Sequence, residues 1–168
     1  MIAVRPARPS DVAAIAGLAQ RSWLDAFGTS VSAETAAEEA ASRSPEYFAA
    51  ALERHSILVA ELDGELAGYV EFDDSELRRL YVETALHGRG VGRALLEAAL
   101  AHPRLAGASR VRLQVWERNE RAVRMYEAAG FRRCGVISFT IGAGEPAEDL
   151  VMVLERNPSA AQGVETPR

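Results

Sequence analysis

A glycine-rich turn at residues 87–92 is the part of the sequence best suited to binding an anion. Gly88, Gly90 and Gly92 stand at alternate positions, and glycine tolerates left-handed backbone angles and lets a ligand approach the main chain closely. Residues 77–82 before the turn have strand character, and apolar residues after it recur with helical spacing at 91, 94, 95 and 98. The first N–H groups of a helix and its partial positive charge favour phosphate. The sequence therefore predicts a phosphate-binding turn.

Two common phosphate-binding motifs do not fit these glycines. Position 93 is Arg, so the G-x-G-x-x-G fingerprint is not formed, and no G-K-[ST] sequence follows the turn. The alternative to an anion site is a flexible connection between a strand and a helix.

A second segment with chemical potential runs from Leu113 to Phe131. Asn119 stands where a helix is expected to begin, and Asn is a favoured helix N-cap. Tyr126 lies on the same helical face as Ala122, where a Tyr is most often a core residue with a satisfied hydroxyl. Both residues thus have a structural explanation that needs no ligand.

Taken together, the two segments resemble the GNAT N-acetyltransferase superfamily. The turn is similar to the family's acyl-CoA motif, [QR]-x-x-G-x-[GA], with Gly90 and Gly92 in place and His87 where Gln or Arg is usual. The second segment is similar to the family pattern N-x-x-A-x-x-x-Y-E-x-x-G-F, which is matched by Asn119, Ala122, Tyr126, Glu127, Gly130 and Phe131. The resemblance covers roughly residues 57–141 well and the first helix loosely.

The resemblance implies acetyl-CoA as cosubstrate and direct acetyl transfer to an amine. The thioester would lie where the strand at 80–82 splays from the strand at 111–116, with a main-chain N–H near Val82 facing the developing oxyanion. Tyr126 would be the general acid that protonates the leaving thiolate. Arg89 and Arg93 would steer phosphate, although both could equally be solvated surface residues. The implied cofactor-binding residues are Leu80, Tyr81, Val82, His87, Gly88, Arg89, Gly90, Val91, Gly92, Arg93, Asn119 and Tyr126.

The acceptor amine must be neutral before it can attack. An α-amine with a pKa of ~7.7–8.0 needs a base less than a lysine-like amine at ~10.4. The resemblance makes Glu76 the first candidate for that base, sometimes acting through water, and Glu71 the second. Either can instead be a solvated carboxylate at a strand end. Gln114 stands where some relatives carry a Glu base, and an amide cannot act as one.

The 168 residues, of which 48% are hydrophobic, fit one folded domain, predicted to span residues 1–156 and to be followed by a disordered tail at 157–168. The net charge of −5, with no basic stripe, argues against nucleic acid as a partner. Cys134 is the only cysteine, which excludes a disulfide framework and a cysteine metal cluster; we expect it to be buried. No secretory h-region or membrane-length apolar run is present, so no membrane partner is expected and a cytoplasmic location is predicted.

The pattern of elements predicts an α/β fold with a mixed, mostly antiparallel sheet of six or seven strands and helices on both faces. Ser10 and Ser44 are the expected N-caps of the first and third helices. The expected strands are 2–5, 57–62, 65–72, 77–82, 111–116, 131–141 and 150–154; the helices are 11–27, 33–42, 45–54, 90–102 and one from 119, with a loop at 142–148.

Three functions remain open at this point. The first is an N-acetyltransferase acting on a small molecule or peptide, the second a catalytically silent acyl-CoA sensor, and the third an adaptor that binds no ligand. Residues 28–50 and 138–148 are expected to shape the acceptor pocket, and the acidic balance favours cationic amines. The acceptor itself is not specified by any motif, and a homodimer is left open.

Overall fold

The computed structural model describes residues 1–156, which form a seven-stranded sheet with helices on both faces. The strands are β1 (Ile2–Pro6), β2 (Ser56–Leu62), β3 (Glu65–Phe72), β4 (Glu76–Val82), β5 (Arg110–Trp116), β6 (Arg132–Ile141) and β7 (Glu145–Glu155). The helices are α1 (Val12–Phe27), α2 (Ala33–Ser42), α3 (Pro45–Arg54), α4 (Val91–Ala101), α5 (Pro103–Ala106) and α6 (Glu120–Ala128). The predicted fold class is confirmed.

The strand order β1-β2-β3-β4-β5-β7-β6 is antiparallel everywhere except between β4 and β5. These two central strands are parallel and pair only at Glu76 with Arg112 and at Leu77 with Leu113. Beyond Leu77 they diverge, so the middle of the sheet opens into a V-shaped gap. The splaying implied by the family resemblance is confirmed.

Alternation along β5 assigns its side chains to two different faces. Val111, Leu113 and Val115 are buried in the larger core, which also contains the inner faces of α4 and α6. Arg112, Gln114 and Trp116 point to the opposite face, which carries α1 and α3. A second core there includes Ile15, Leu18 and Phe48 from those two helices.

The starts of the N-terminal helices depend on different capping groups. Ser44 caps α3 as predicted, since its Oγ accepts a hydrogen bond from Tyr47 N at 3.1 Å. The prediction of Ser10 as a cap is wrong, because a 3-10 turn at Pro9–Asp11 precedes α1. Asp11 acts at this turn instead: its carboxylate accepts from Arg8 N at 2.7 Å and binds Arg5 Nη1 at 2.8 Å.

The C-terminal hairpin departs most from the prediction. The expected loop at 142–148 is reduced to a turn at 142–144, and residues 145–149 belong to β7. Pairing with the long strand β6 overrides the weak strand character of this segment. Cys134 is exposed rather than buried, because β6 is the edge strand of the sheet and its residues are exposed along nearly their whole run. The predicted disordered tail at 157–168 lies outside the described residues.

No helix within residues 1–156 combines the length and apolar character needed to cross a bilayer.

Candidate active site

The gap between β4 and β5 exposes main-chain groups of β4. Glu83 N donates to Ala67 O of β3 at 2.9 Å, so the N–H group of Glu83 faces β3. Consecutive residues of a strand point their hydrogen-bonding groups to opposite sides. The N–H and C=O groups of Leu80 and Val82 therefore face the gap, whereas those of Tyr81 face β3. In agreement with this, Val82 O accepts a bond from Ser22 Oγ at 3.3 Å on the gap side. Tyr81 contributes its side chain to the lining of the gap.

The glycine turn joins β4 to α4 through left-handed backbone. Gly88 has φ = +79° and Gly90, the residue before α4, has φ = +86°. A Cβ at Gly88 would meet nothing within 4 Å, so backbone conformation rather than crowding requires glycine there. The helix begins with a bond from Ala94 N to Gly90 O at 3.0 Å, so the N–H groups of residues 91–93 have no helical carbonyl partner.

Gly92 has a different role, because it lies within the first turn of α4. A Cβ at this position would lie 3.2 Å from Met125 Sδ and 3.6 Å from Val82 Cγ2. Gly92 therefore allows α4 to pack closely against α6 and the end of β4.

A groove of about 840 Å³ runs between the glycine turn and the start of α6. All the predicted cofactor-binding residues except Arg89 and Tyr126 line it. Arg93 lines it while forming an ion pair with Glu97 at 2.7 Å. The predictions missed three further cations that line the groove, Arg118, Arg121 and Arg124. Arg118 immediately precedes Asn119, and Arg121 and Arg124 lie on the first turns of α6; this three-residue spacing was the signal that could have identified them.

His87 braces the turn against the end of β4. Its Nε2 lies 3.1 Å from Val82 O, and because a carbonyl only accepts, Nε2 is the nitrogen that carries the proton. The ring thus fixes the turn that follows β4, a role that does not require the Gln or Arg usual at this position.

Asn119 connects the groove to a second cavity. Its Oδ1 accepts from Ala122 N at 3.3 Å, which confirms the predicted N-cap of α6. Its side-chain N–H groups remain available for a ligand, since Asn119 lines both cavities.

Tyr126 lies where the second cavity reaches the gap. Its ring packs edge-to-face on Phe131 with 5.7 Å between centroids and is 7% exposed. Tyr126 lines the cavity, and within residues 1–156 its hydroxyl has no hydrogen-bond partner. Burial, assisted by the nearby Tyr81, raises the pKa of Tyr126, so the hydroxyl is protonated at neutral pH.

The second cavity, here called the acceptor cleft, has a volume of about 430 Å³ on the face that carries α1. Aromatic rings form one wall of this cleft. The ring of Phe27 packs edge-to-face against Trp116, with 4.4 Å between the ring centroids, and against Trp23, with 5.8 Å between them. Both segments expected to shape the pocket contribute lining residues, which are Glu39, Arg43 and Tyr47 from 28–50 and Phe139, Ile141 and Ala147 from 138–148.

The tip of the β6–β7 hairpin is attached to the start of α2 beside this cleft. Ala143 N donates to Thr35 Oγ1 at 3.2 Å, and Ser32 N donates to Glu145 Oε1 at 2.9 Å. A Cβ at Gly142 would lie 2.6 Å from Thr35 Cγ2. Glycine at the tip thus permits the contact that closes this side of the cleft.

The two predicted base candidates occupy different environments. Glu76 lines the cleft and pairs with Arg112 at 3.3 Å. Arg112 also reaches Gln114, whose amide oxygen accepts from Nη1 at 3.0 Å in the orientation that satisfies both groups. Glu71 has no solvent exposure and is held by Tyr47 Oη at 3.0 Å and His55 Nδ1 at 2.7 Å, so it lies behind the cleft wall.

A third carboxylate, Asp149, was not predicted. It lines the acceptor cleft, is half-buried, and has neither a hydrogen bond nor an ion-pair partner among residues 1–156. Burial raises the pKa of Asp149. The position of Asp149 could not be predicted, because the segment around it has no strand pattern. Only the pairing of Asp149 with Trp116 places the carboxylate in the cleft.

The chain is similar to known acetyltransferases in both sequence and structure. Residues 14–131 match the model of the acetyltransferase (GNAT) family. An uncharacterized N-acetyltransferase of Mycobacterium tuberculosis is 39% identical over 107 residues, which are 61% of this chain and 68% of that protein.

Solved structures extend the likeness to nearly the whole fold. A GCN5-related N-acetyltransferase from Rhodopseudomonas palustris has a TM-score of 0.79 at 24% identity and covers 91% of this chain and 94% of its own. An N-acetyltransferase from Thermoplasma acidophilum, solved in complex with coenzyme A, has a TM-score of 0.76 at 21% identity over 92% and 99% of the two chains.

Proposed function

Because the chain belongs to the acetyltransferase (GNAT) family of acyltransferases, we propose that it transfers the acetyl group of acetyl-CoA to a primary amine of a small molecule or peptide. One observation carries the proposal: at the gap between β4 and β5 a groove suited to anions adjoins the acceptor cleft, since Leu80, Tyr81 and Asn119 line both, and Tyr126 lines the cleft. An amine in the cleft and a thioester in the groove can therefore meet in the gap.

The groove suits the cofactor in charge and in shape. Unpartnered N–H groups at residues 91–93 and the positive end of α4 suit a pyrophosphate. Arg118, Arg121 and Arg124 add positive charge on the opposite wall. Open space above Gly88 leaves the main chain accessible. When bound, acetyl-CoA supplies an acetyl group activated as a thioester.

The main chain of β4 and Tyr126 have separate roles in the transfer. Val82 N–H faces the gap, where it can stabilise negative charge that develops on the carbonyl oxygen. Tyr126 Oη–H donates its proton to the departing sulfur. Its raised pKa keeps the proton in place at neutral pH but also makes it a weaker acid, so its position matters more than its acidity.

Glu76 is the proposed proton acceptor for the amine. It lies on the cleft side of the sheet but four residues before Leu80, roughly 13 Å along an extended strand. It would therefore receive the proton through water. Its pairing with Arg112 keeps the carboxylate oriented into the cleft.

Substituting Tyr126 with Phe tests the proposal on a verified acceptor. We expect kcat to fall by about 10²-fold, because only the hydroxyl is lost, with little change in the Kd for CoA. Tyr69→Phe is the matched control, since Tyr69 is also buried, its hydroxyl has no partner within residues 1–156, and it does not line the cleft. This control should keep the wild-type kcat.

Two outcomes would contradict the proposal. Wild-type turnover by Tyr126→Phe, with chemistry limiting the rate, would make Tyr126 a packing residue. Tight CoA binding by the unmodified protein without acetylation of any amine in a broad panel would instead support the acyl-CoA sensor.

A further inference from the structure

The arginines of the acceptor cleft are neutralised within the protein itself. Each has a carboxylate within 4 Å: Arg43 pairs with Glu39 at 3.0 Å, Arg78 with Asp73 at 2.9 Å, and Arg79 with Glu71 at 3.8 Å. Within residues 1–156, the cleft wall therefore offers no cation without a carboxylate partner to the carboxylate or phosphate of an acceptor.

The carboxylates of the cleft are not neutralised to the same extent. Glu39 and Glu76 have arginine partners, whereas Asp149 has no cation within 4 Å among residues 1–156. The uncompensated charge of the cleft is thus one negative charge, located on β7.

Strand register places this charge where an amine would approach. Asp149 stands directly opposite Trp116 in the β5–β7 ladder, and residues directly opposite each other share one face of a sheet. This is the cleft face. Tyr126 belongs to the core on the other face, together with Leu113 and Val115, and reaches the cleft through the gap. An amine held by Asp149 and the leaving sulfur beside Tyr126 would lie on opposite sides of the reacting carbonyl.

We propose that Asp149 binds the ammonium group of the acceptor, an inference that rests on the acetyl transfer proposed above. The acceptor is then an organic cation with an apolar or aromatic body and no carboxylate beside its amine. The aromatic wall of Trp23, Phe27 and Trp116 provides apolar surface for such a body, while Arg43 and Arg118 already stack over the Trp23 and Trp116 rings. The carboxylate provides a charge-assisted hydrogen bond to the ammonium.

The burial of Asp149 is consistent with this role. A half-buried carboxylate without a partner is unfavourable in the free protein, and burial raises the pKa of Asp149 accordingly. A bound cation would compensate this charge, so the ligand gains affinity from an interaction that the protein leaves incomplete.

Calorimetry on the CoA-loaded protein tests the inference with three probes that share a phenyl ring. Phenethylamine carries the cation alone, phenylalanine adds a carboxylate beside the amine, and 2-phenylethanol replaces the amine by a neutral group. We expect phenethylamine to bind at least about tenfold more tightly than either of the other two probes, because one charge-assisted hydrogen bond contributes enough free energy for a difference of that size.

Two variants localise the effect to Asp149. Asp149→Asn should weaken phenethylamine binding about 10- to 100-fold while leaving CoA affinity as it is. Glu148→Gln is the matched control, because Glu148 is the adjacent carboxylate of β7, exposed on the other face and bonded to Ser138 Oγ at 3.1 Å. It should change the affinity for phenethylamine less than about twofold.

The inference is overturned if Asp149→Asn binds phenethylamine as tightly as the wild type, if phenylalanine binds as well as phenethylamine, or if the CoA-loaded wild type binds no phenethylamine. Each of these results leaves acetyl transfer to some other amine possible. Failure of the wild type to bind CoA in the first titration would remove both the proposed function and this inference, and it is visible before any amine is added.

Discussion

Replacing Glu71 with Gln removes a negative charge from a position with no solvent exposure. The carboxylate accepts bonds from Tyr47 Oη at 3.0 and 3.2 Å, contacts His55 Nδ1 at 2.7 Å, and lies 3.8 Å from Arg79 Nε. Glutamine has nearly the same shape but leaves Arg79 without its counter-charge and presents an N–H₂ group where an oxygen had accepted. Since Glu71 does not line the cleft, the change should reduce stability and leave the chemistry intact.

The magnitude follows from the burial of both partners. Removing one member of a buried ion pair destabilises a protein by about 3–5 kcal/mol. Because the side chain of Arg79 retains 25% exposure, we expect Glu71→Gln to lower the free energy of unfolding by the lower end of this range, about 3 kcal/mol. In a chain of this length each kcal/mol lowers Tm by roughly 2–4 °C, which predicts a fall of roughly 6–12 °C.

Scanning calorimetry of Glu71→Gln beside Glu76→Gln provides the test. The Glu76 side chain is 29% exposed, and partly exposed pairs contribute at most about 1 kcal/mol, so its loss should lower Tm by less than about 4 °C. Acetylation assayed well below both Tm values should fall for Glu76→Gln, if Glu76 is the base, and not for Glu71→Gln. Equal Tm values for the two variants would refute the assignment of Glu71 as a buried structural charge.

Two further predictions concern the cofactor turn and the unpaired carboxylate. Gly90→Ala places a side chain at φ = +86°, a strained conformation, so we expect about tenfold weaker CoA binding by calorimetry; Gly107→Ala, at φ = −85° with open space around it, is the control that should bind normally. Asp149→Asn should raise Tm at neutral pH, since burial raises the pKa of Asp149 in the folded state and the wild type therefore loses stability as pH rises through that pKa. The Tm difference from wild type should be small below the unfolded pKa of ~3.9 and grow towards pH 7; a difference independent of pH would contradict this explanation.

Much of the groove half of the candidate site could be predicted from sequence, because its determinants are local. Left-handed backbone before a helix requires glycine, and Gly88 and Gly90 have that conformation. An Asn at a strand-to-helix junction predicts a cap, and Asn119 forms one. The sheet class followed from alternation and turn residues, as at Asp63–Gly64, where both residues have positive φ.

The acceptor half could not be predicted, because its determinants are long-range. Nothing near Glu71 in the sequence indicates that Tyr47 and His55 enclose it, so the sequence predicts a candidate base where the structure has a buried charge. Asp149 belongs to a segment whose neighbours Pro146 and Ala147 have poor strand propensity, so the register that exposes it to the cleft depends on pairing with β5 and β6.

The two halves of the candidate site therefore differ in the groups that they offer to a ligand. The groove uses main-chain N–H groups and general positive charge, which suit any nucleotide-like polyanion and require little beyond the correct backbone angles. The cleft uses side chains from separate elements and includes Asp149, a half-buried carboxylate with no ion-pair partner among residues 1–156. Such a group lowers the stability of the free protein, and a ligand that satisfies it gains affinity over one that does not. If the proposed site is correct, selectivity for the acceptor should thus depend on substitutions that pair or remove the Asp149 carboxylate, while binding of the cofactor should depend on the glycine turn and the gap in the sheet.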